Sequence, residues 1–342
     1  TWKRFAGGEG VGALLAQAER EFDARHPEAS LPVLAKAHAA MQKLAANGLV
    51  ARKRAELEQV MASCAGLWLE AVSARPAATP GDGVWVATSV LTRTPATVTL
   101  ESVGVDETEH VATRALSPNV AAADTLRFTL RDDFAVTQPY WLRLPSSKGL
   151  FRVADRADLG QPENRPALTA TFKLKLAGEP VTFDLPVAYR WTDAVQGERW
   201  RMFEVSPPAT LAFEQPFQLF ADGAPRTLRV TVRAQKNKLA GTLRLALPSG
   251  WSVKPALAPV AIERESGEQT AEFTLVPGRD GGTARAVLEV DGRAWSQAAQ
   301  RIDYAHIPMQ TLFPPAEIKL VRTDLALSAS RVGYLAGSGD QI

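Results

Sequence analysis

Histidine is the side chain that most often serves as a general base or a zinc ligand, and the chain contains four. They are His26, His38, His110 and His306. They fall in three different segments, and none stands in an HxxxH, HxxE or HxH arrangement. A Ser-His-Asp site can assemble from distant positions, but the chain has no GxSxG nucleophile turn. The spacing therefore predicts isolated surface histidines and no metal site.

Paired carboxylates would be needed for glycoside hydrolysis. The acidic residues that could supply them are Asp132, Asp133, Asp303, Glu198 and Glu204. Adjacent strand residues point to opposite faces, so we expect Asp132 and Asp133 to form a turn. The single cysteine, Cys64, stands in an apolar helical pattern and is predicted to be a buried core thiol; it excludes an internal disulfide framework.

Aromatic residues offer the one plausible binding surface. Tyr140-Trp141 and Tyr189-Arg190-Trp191 combine flat rings with polar neighbours, as the sugar-stacking platforms of β-sandwich proteins do. The alternative is that these rings anchor the core, since a sandwich of this size normally buries a Trp. The binding candidates are therefore Tyr140, Trp141 and Trp191, and no catalytic or metal residue is assigned.

The last twelve residues, RVGYLAGSGDQI, combine a short apolar segment with a glycine-rich turn. A phosphate-binding GxGxxG turn would need glycine at position 342, which is Ile342, and a following helix. We interpret this segment as the first strand of a truncated α/β domain. Because the chain also begins without Met or a signal peptide, we expect both ends to be internal to a longer protein.

Composition is that of an ordinary globular protein, with 46% hydrophobic and 22% charged residues among 342. The formal net charge of +2 and the dispersed Lys and Arg residues give no support for nucleic acid as a partner. No stretch of eighteen apolar residues exists, so we expect no membrane span.

Four segments follow from hydrophobic periodicity. Residues 1–75 are predicted to form a helical hairpin or small bundle, its third helix running from Leu49 to about Ala74. The proline- and glycine-rich stretch at 75–83 is interpreted as a domain boundary. Period-two alternation then predicts a β-sandwich over 76–205 and an immunoglobulin-like sandwich over 206–303. The remainder, 304–342, is predicted to be a linker and the opening strands of the truncated α/β domain, at 318–325 and 331–336.

Several segments together resemble one family. In order, they are CAGLWLEAV (64–72), QPYWLR (138–143), ENRPALTATF (163–172), VAYRWTDAVQGE (187–198), FEVSPP (203–208), YAHIPMQTLFPP (304–315) and RVGYLAGSGD (331–340). They are similar to the region that follows the catalytic domain in long bacterial PIG-L-type deacetylases, which resemble GlcNAc-PI de-N-acetylases. The resemblance covers most of the chain.

The resemblance implies a zinc-dependent N-deacetylase whose catalytic domain carries an AHPDD-type motif. This chain has no such motif, since its only His-Pro, His26-Pro27, is followed by Glu28. The zinc ligands therefore transfer to no position here, and no cofactor is expected in this segment. The implied partners are neighbouring domains of the parent chain, with a glycan as a further possibility, and the implied location is the periplasm or the exterior of a bacterium.

Two hypotheses follow. The first is a non-catalytic accessory region that acts as a scaffold and could bind glycan or a partner. The alternative is a stand-alone carbohydrate-active hydrolase whose site is not recognisable from sequence. The expected fold class is the same for both: mainly β with an N-terminal α-helical segment and two tandem immunoglobulin-like β-sandwich domains.

Overall fold

A computed structural model describes residues 2–324 and 331–339 and divides the chain into two compact units. The first unit contains the chain up to Ser206 together with Asp303–Met309. The second contains Pro207–Ile302 and the chain from Gln310 onward. The first unit is thus discontinuous in sequence, because the chain passes between units after residues 206, 302 and 309.

The first unit opens with three α-helices. They are α1 (Glu9–Glu21), α2 (Leu31–Gln42) and α3 (Gly48–Cys64), with short 3-10 helices at Trp2–Arg4 and Pro27–Ser30. Asn47 caps α3, its Oδ1 accepting the N–H of Leu49 at 2.8 Å, which satisfies one of the free amides of the first turn. Among the described residues, no helix is both long and apolar enough to cross a bilayer.

Eleven strands complete this unit. They are β1 (Leu67–Ser73), β2 (Ala77–Ala78), β3 (Gly83–Thr92), β4 (Val98–Val105), β5 (Thr108–Ala115), β6 (Ala122–Thr129), β7 (Thr169–Leu176), β8 (Glu179–Pro186), β9 (Ala188–Asp193), β10 (Gly197–Met202) and β11 (Glu204–Val205). Sheet I has the order β10-β9-β1-β3-β6, sheet II the order β5-β4-β7-β8, and β2 pairs with β11. A further 3-10 turn lies at Arg156–Asp158.

One continuous core fills the first unit. It runs from Val11 on α1, through Leu31 and Met61 on the other two helices, to Phe172 on β7 and Val205 on β11. The helices therefore share their core with the sandwich, as amphipathic helices must when their apolar stripe has no other partner.

The second unit is an immunoglobulin-like sandwich of two larger sheets. Its strands are β12 (Ala209–Phe213), β13 (Phe217–Phe220), β14 (Arg226–Ala234), β15 (Leu239–Ala246), β16 (Ser252–Lys254), β17 (Ala258–Ile262), β18 (Glu268–Val276), β19 (Gly282–Val290), β20 (Arg293–Trp295), β21 (Gln300–Ile302), β22 (Gln310–Leu312) and β23 (Glu317–Arg322). The orders are β12-β14-β18-β16 and β13-β23-β19-β15-β17, with β20 on β19 and a separate β21-β22 pair. The predicted fold class, mainly β with N-terminal helices and two sandwiches, is confirmed.

The third helix is shorter than the sequence pattern predicts. It ends at Cys64, and Leu67–Ser73 forms a strand that pairs with β3 from Leu67↔Thr92 to Ser73↔Val86. Gly66, at φ +57°, takes the left-handed conformation that ends helices. Pairing in the centre of sheet I outweighs the modest helix preference of the leucines and alanines here. The stretch at 75–83 accordingly connects two neighbouring strands of one sheet, where a domain boundary had been predicted.

The C-terminal segment also differs from its prediction. The strand expected at 318–325 is found as Glu317–Arg322, but it pairs with β13 and β19 inside the second sandwich and does not open an α/β unit. Residues 331–337 form no strand, and Val332 and Leu335 are exposed, because an extended apolar segment becomes a strand only where a ladder partner and a buried face are offered. Residues 325–330 and Asp340 lie outside the described residues.

Candidate functional site

The first predicted aromatic pair is held inside its own loop, between β6 and β7. The hydroxyl of Tyr140 donates to the carbonyl of Gln161 at 2.9 Å, and its backbone N–H donates to Oδ1 of Asn164 at 2.8 Å. Trp141 meets the Tyr140 ring edge-on, with centroids 5.0 Å apart. Both rings are half-buried, so this geometry matches a structural anchor of the long connection.

The third predicted residue, Trp191, lies on β9. Its ring stacks on that of Tyr189, with centroids 5.8 Å apart and planes 16° from parallel, and the guanidinium of Arg199 lies 5.9 Å from its centroid. Within the described part of the chain, no ring contact joins this stack to Tyr140 or Trp141. The three predicted residues therefore do not form one surface.

The histidines and the predicted carboxylates do not come together in one site. His38 was predicted to lie on the surface but is buried between the carboxylates of Glu58 and Glu179, because these two partners satisfy both ring nitrogens. His110 on β5 contacts Asp124 on β6. Of the predicted carboxylates, Asp133 pairs with Arg131 on the surface at 3.3 Å. Across residues 2–324 and 331–339, no three His, Cys, Asp or Glu side chains are grouped to hold a metal ion.

A different surface, the outer face of sheet I, carries a groove of about 550 Å³ that we call the trough. It is lined by Glu70, Val72, Ala87, Thr88, Ser89, Ala123, Asp124, Thr125 and Arg190. Its floor is set by register, because Thr125, Ala87 and Val72 are neighbours across β6, β3 and β1. These side chains are small, so the sheet surface lies low along β3.

A tryptophan stands beyond each end of the trough. On β3, Val84, Val86 and Val90 are buried while Trp85, Ala87 and Ser89 point outward. Trp85 remains 48% exposed, and Trp68, on the same face of β1, remains 50% exposed. Trp68 pairs in register with Leu91. Six residue steps separate positions 85 and 91, so the two indoles are about 20 Å apart along the strands.

A charge pair borders the trough on its β1 side. Nη1 of Arg190 on β9 lies 2.5 Å from Oε1 of Glu70 on β1, in a charge-assisted hydrogen bond that crosses over the β1 side of the floor. Asp124 on β6 points the other way, because its register partner is the buried Thr88 and its carboxylate contacts His110 on sheet II. Burial opposes ionisation of Asp124, but hydrogen bonds from His110 and from the N–H of Thr125 hold the pKa of this carboxyl below its usual range. Glu70 is therefore the carboxylate that the outer face presents, and Arg190 is its partner.

The outer face of sheet II has a different character. Lys173 and Glu109 approach to 2.8 Å and Lys175 and Glu101 to 2.5 Å, and the Thr171 hydroxyl donates to Asp184 at 2.7 Å. Such a ladder of paired charges is typical of a solvated sheet face. Half-exposed indoles over small residues set the outer face of sheet I apart from it.

Sequence reasoning missed the trough although one signal was available. In VWVATSVLT, valines occupy alternate buried positions, so Trp85 falls on the outward side of the period. Because the valines on the other side of the strand face the core, this alternation alone predicts that the Trp85 side chain lies on the surface. Trp68 could not be found this way, because its segment was assigned to a helix.

Comparisons with known proteins give little further information. No protein-family model matches the chain, and no curated protein matches it by sequence. Among solved structures, it is similar to a mutant of Salmonella alpha-2-macroglobulin (10% identity, TM-score 0.25), covering 75% of this chain and 16% of that one. It is also similar to trypsin-activated Escherichia coli alpha-2-macroglobulin (10% identity, TM-score 0.25), covering 75% of this chain and 18% of that one. The native conformation of the Escherichia coli protein is similar as well (13% identity, TM-score 0.24), with 75% of this chain and 17% of that one covered. The chain spans less than a quarter of the length of each, and likeness of this degree carries no inference about function.

Proposed function

We propose that the chain is a non-catalytic accessory region of a larger PIG-L-type N-deacetylase, in which it supports the catalytic domain and binds a carbohydrate. The observation that carries the binding role is the pair of half-exposed tryptophans, Trp68 and Trp85, beyond the ends of a polar trough. The family part of the proposal rests on the ordered sequence motifs between residues 64 and 340.

The scaffolding role is supported by the way the helices join the first sandwich. They share its core, and His38 on α2 contacts both α3 and β8 through its two ring nitrogens. A helical segment fixed in this way is a rigid attachment for a domain that precedes it in the parent chain. With this role we propose a periplasmic or secreted bacterial location.

Zinc belongs to the catalytic domain in this proposal, and the residues of this chain do not fit it. One histidine of the described ranges, His38, does contact two carboxylates, those of Glu58 and Glu179, whose oxygens lie 2.9 Å from its ring nitrogens. That contact leaves no room for an ion between nitrogen and oxygen, since a zinc ion is bound at about 2 Å by each ligand. No zinc chemistry is assigned to this chain.

Calorimetric titration of the full chain with N-acetylated oligosaccharides and cell-wall fragments tests the binding role. We expect saturable heat with at least one of them and no release of acetate or sugar. The absence of heat with every probe would leave scaffolding alone. Stoichiometric metal together with acetate or sugar release would instead establish the alternative, a stand-alone carbohydrate-active hydrolase.

A further inference from the structure

We propose that the trough is the carbohydrate site and that it binds a linear, uncharged, β-linked oligosaccharide lying along β3 between Trp85 and Trp68. This inference rests on the proposed binding function and makes it specific in place and in ligand. The residues that carry it are distinct from the predicted Tyr140, Trp141 and Trp191.

The shape of the trough favours an extended chain. Its floor follows one strand through Ala87 and Ser89, and the two indoles lie about 20 Å apart along the strand direction. A β-1,4-linked chain of pyranoses is straight and ribbon-like, so it can follow such a floor and present an apolar ring face at each end. A helical, α-linked chain would lift away from the floor between the ends.

The charges of the trough favour hydroxyl groups over ionic groups. Arg190 lies 2.5 Å from Glu70 and 3.9 Å from Glu198, so its charge is already balanced. A charged ligand would have to compete with these contacts, whereas sugar hydroxyls can both donate to the carboxylate and accept from the guanidinium without breaking the pair.

The indole of Trp85 is fixed before any ligand arrives. The guanidinium of Arg127, on the neighbouring strand β6, lies 4.8 Å from the ring centroid and covers one face. The exposed half of the side chain is therefore the part available for stacking. Pre-ordering of an aromatic platform lowers the entropy lost on binding.

Titration of the full chain with cellotetraose, chitotetraose and maltotetraose tests this inference. We expect saturable binding of at least one of the two β-linked tetrasaccharides and weaker binding of maltotetraose. Trp85→Ala and Trp68→Ala should each weaken that binding by roughly tenfold or more, because each removes the aromatic contact for one end of the ligand. Phe217→Ala is the matched control, since Phe217 is an aromatic residue 56% exposed on β13 of the second unit, and its loss should leave affinity unchanged.

A second variant separates loss of the site from loss of the fold. Ala87→Trp adds a bulky side chain at an exposed floor position and should abolish binding while the urea unfolding midpoint stays within error of the parent chain. Binding that survives Ala87→Trp and both tryptophan deletions would overturn the site and leave the proposed carbohydrate-binding function intact. Absence of heat with all three tetrasaccharides and with the wider panel would overturn both.

Discussion

His38 and Glu179 connect the helical segment to the sandwich across 141 residues of sequence, with Nδ1 of the histidine 2.9 Å from Oε1 of the glutamate. The other ring nitrogen lies 2.9 Å from Oε1 of Glu58 on α3. Ionised carboxylates only accept, so both contacts are hydrogen bonds when each ring nitrogen carries a proton. The imidazole is 1% exposed, and one buried ring thereby ties α2, α3 and β8 together.

His38→Ala should lower the free energy of unfolding by about 2–4 kcal/mol, because it removes the hydrogen-bond partner shared by two part-buried carboxylates and opens a cavity. Urea denaturation monitored by circular dichroism measures this. His26→Ala is the control, since His26 is exposed and its 3.5 Å contact with Glu28 is a surface pair that should contribute less than about 1 kcal/mol. Equal effects of the two substitutions would contradict the tie between helices and sandwich.

Gly66→Ala should destabilise the chain by about 1–2 kcal/mol, because the φ of +57° disfavours a side chain. The added Cβ would also stand 2.9 Å from Cβ of Arg93. Gly10→Ala provides the contrast: this glycine lies inside α1, nothing approaches its Cβ position within 4 Å, and alanine there should stabilise by up to about 1 kcal/mol. In thermal unfolding we expect the midpoint to fall for Gly66→Ala and to rise for Gly10→Ala.

The Cys64 thiol should react slowly with iodoacetamide in the folded chain. Burial, with a smaller contribution from the charge of Glu28, raises its pKa, so the reactive thiolate is scarce at neutral pH. Alkylation should reach half its maximal rate at a higher pH in the native chain than in urea. The same pKa shift makes the free energy of unfolding depend on pH. The contribution of the neutral buried thiol is complete below the pKa that Cys64 has in the unfolded chain, and it is lost as pH rises through the pKa in the folded chain. A native chain that alkylates as fast as the unfolded one would contradict the burial of Cys64.

Removal of residues 1–66 should abolish cooperative unfolding of the first unit while sparing the second. The deletion keeps β1 but strips Leu31, Met41 and Met61 from the shared core, each of which is at most 2% exposed. Calorimetry should then show one transition fewer. If the shortened chain kept both transitions, the helices would be an appendage and not part of the core.

Periodicity predicted the second sandwich well because several of its strands, such as β14 and β18, alternate between buried and exposed residues. Leu228, Val230 and Val232 on β14 are buried, and the residues between them are not. This alternation is a local sequence pattern, so a strand can be predicted from it without knowing the partner strand.

The prediction failed where long-range pairing decides the structure. Trp68 and Val72 also fit a helical stripe, and only the partner strand β3, with the glycine at position 66, makes their segment a strand. The trough could not be predicted for the same reason, because Glu70 points outward beside Ser89 only when Leu67–Ser73 forms strand β1. The contact between Glu70 and Arg190 spans 120 residues, and no local pattern encodes it.

The discontinuous first unit affects how the protein can be taken apart. Because Asp303–Met309 belongs to that unit while its flanks belong to the other, a protease cut between residues 206 and 207 leaves the two halves joined by two further peptide crossings. A gene fragment that stops at residue 206 encodes the first unit without its last seven residues. Recombination or truncation at the boundary between Ser206 and Pro207 would therefore exchange incomplete folding units, so this pair of sandwiches is expected to be inherited together.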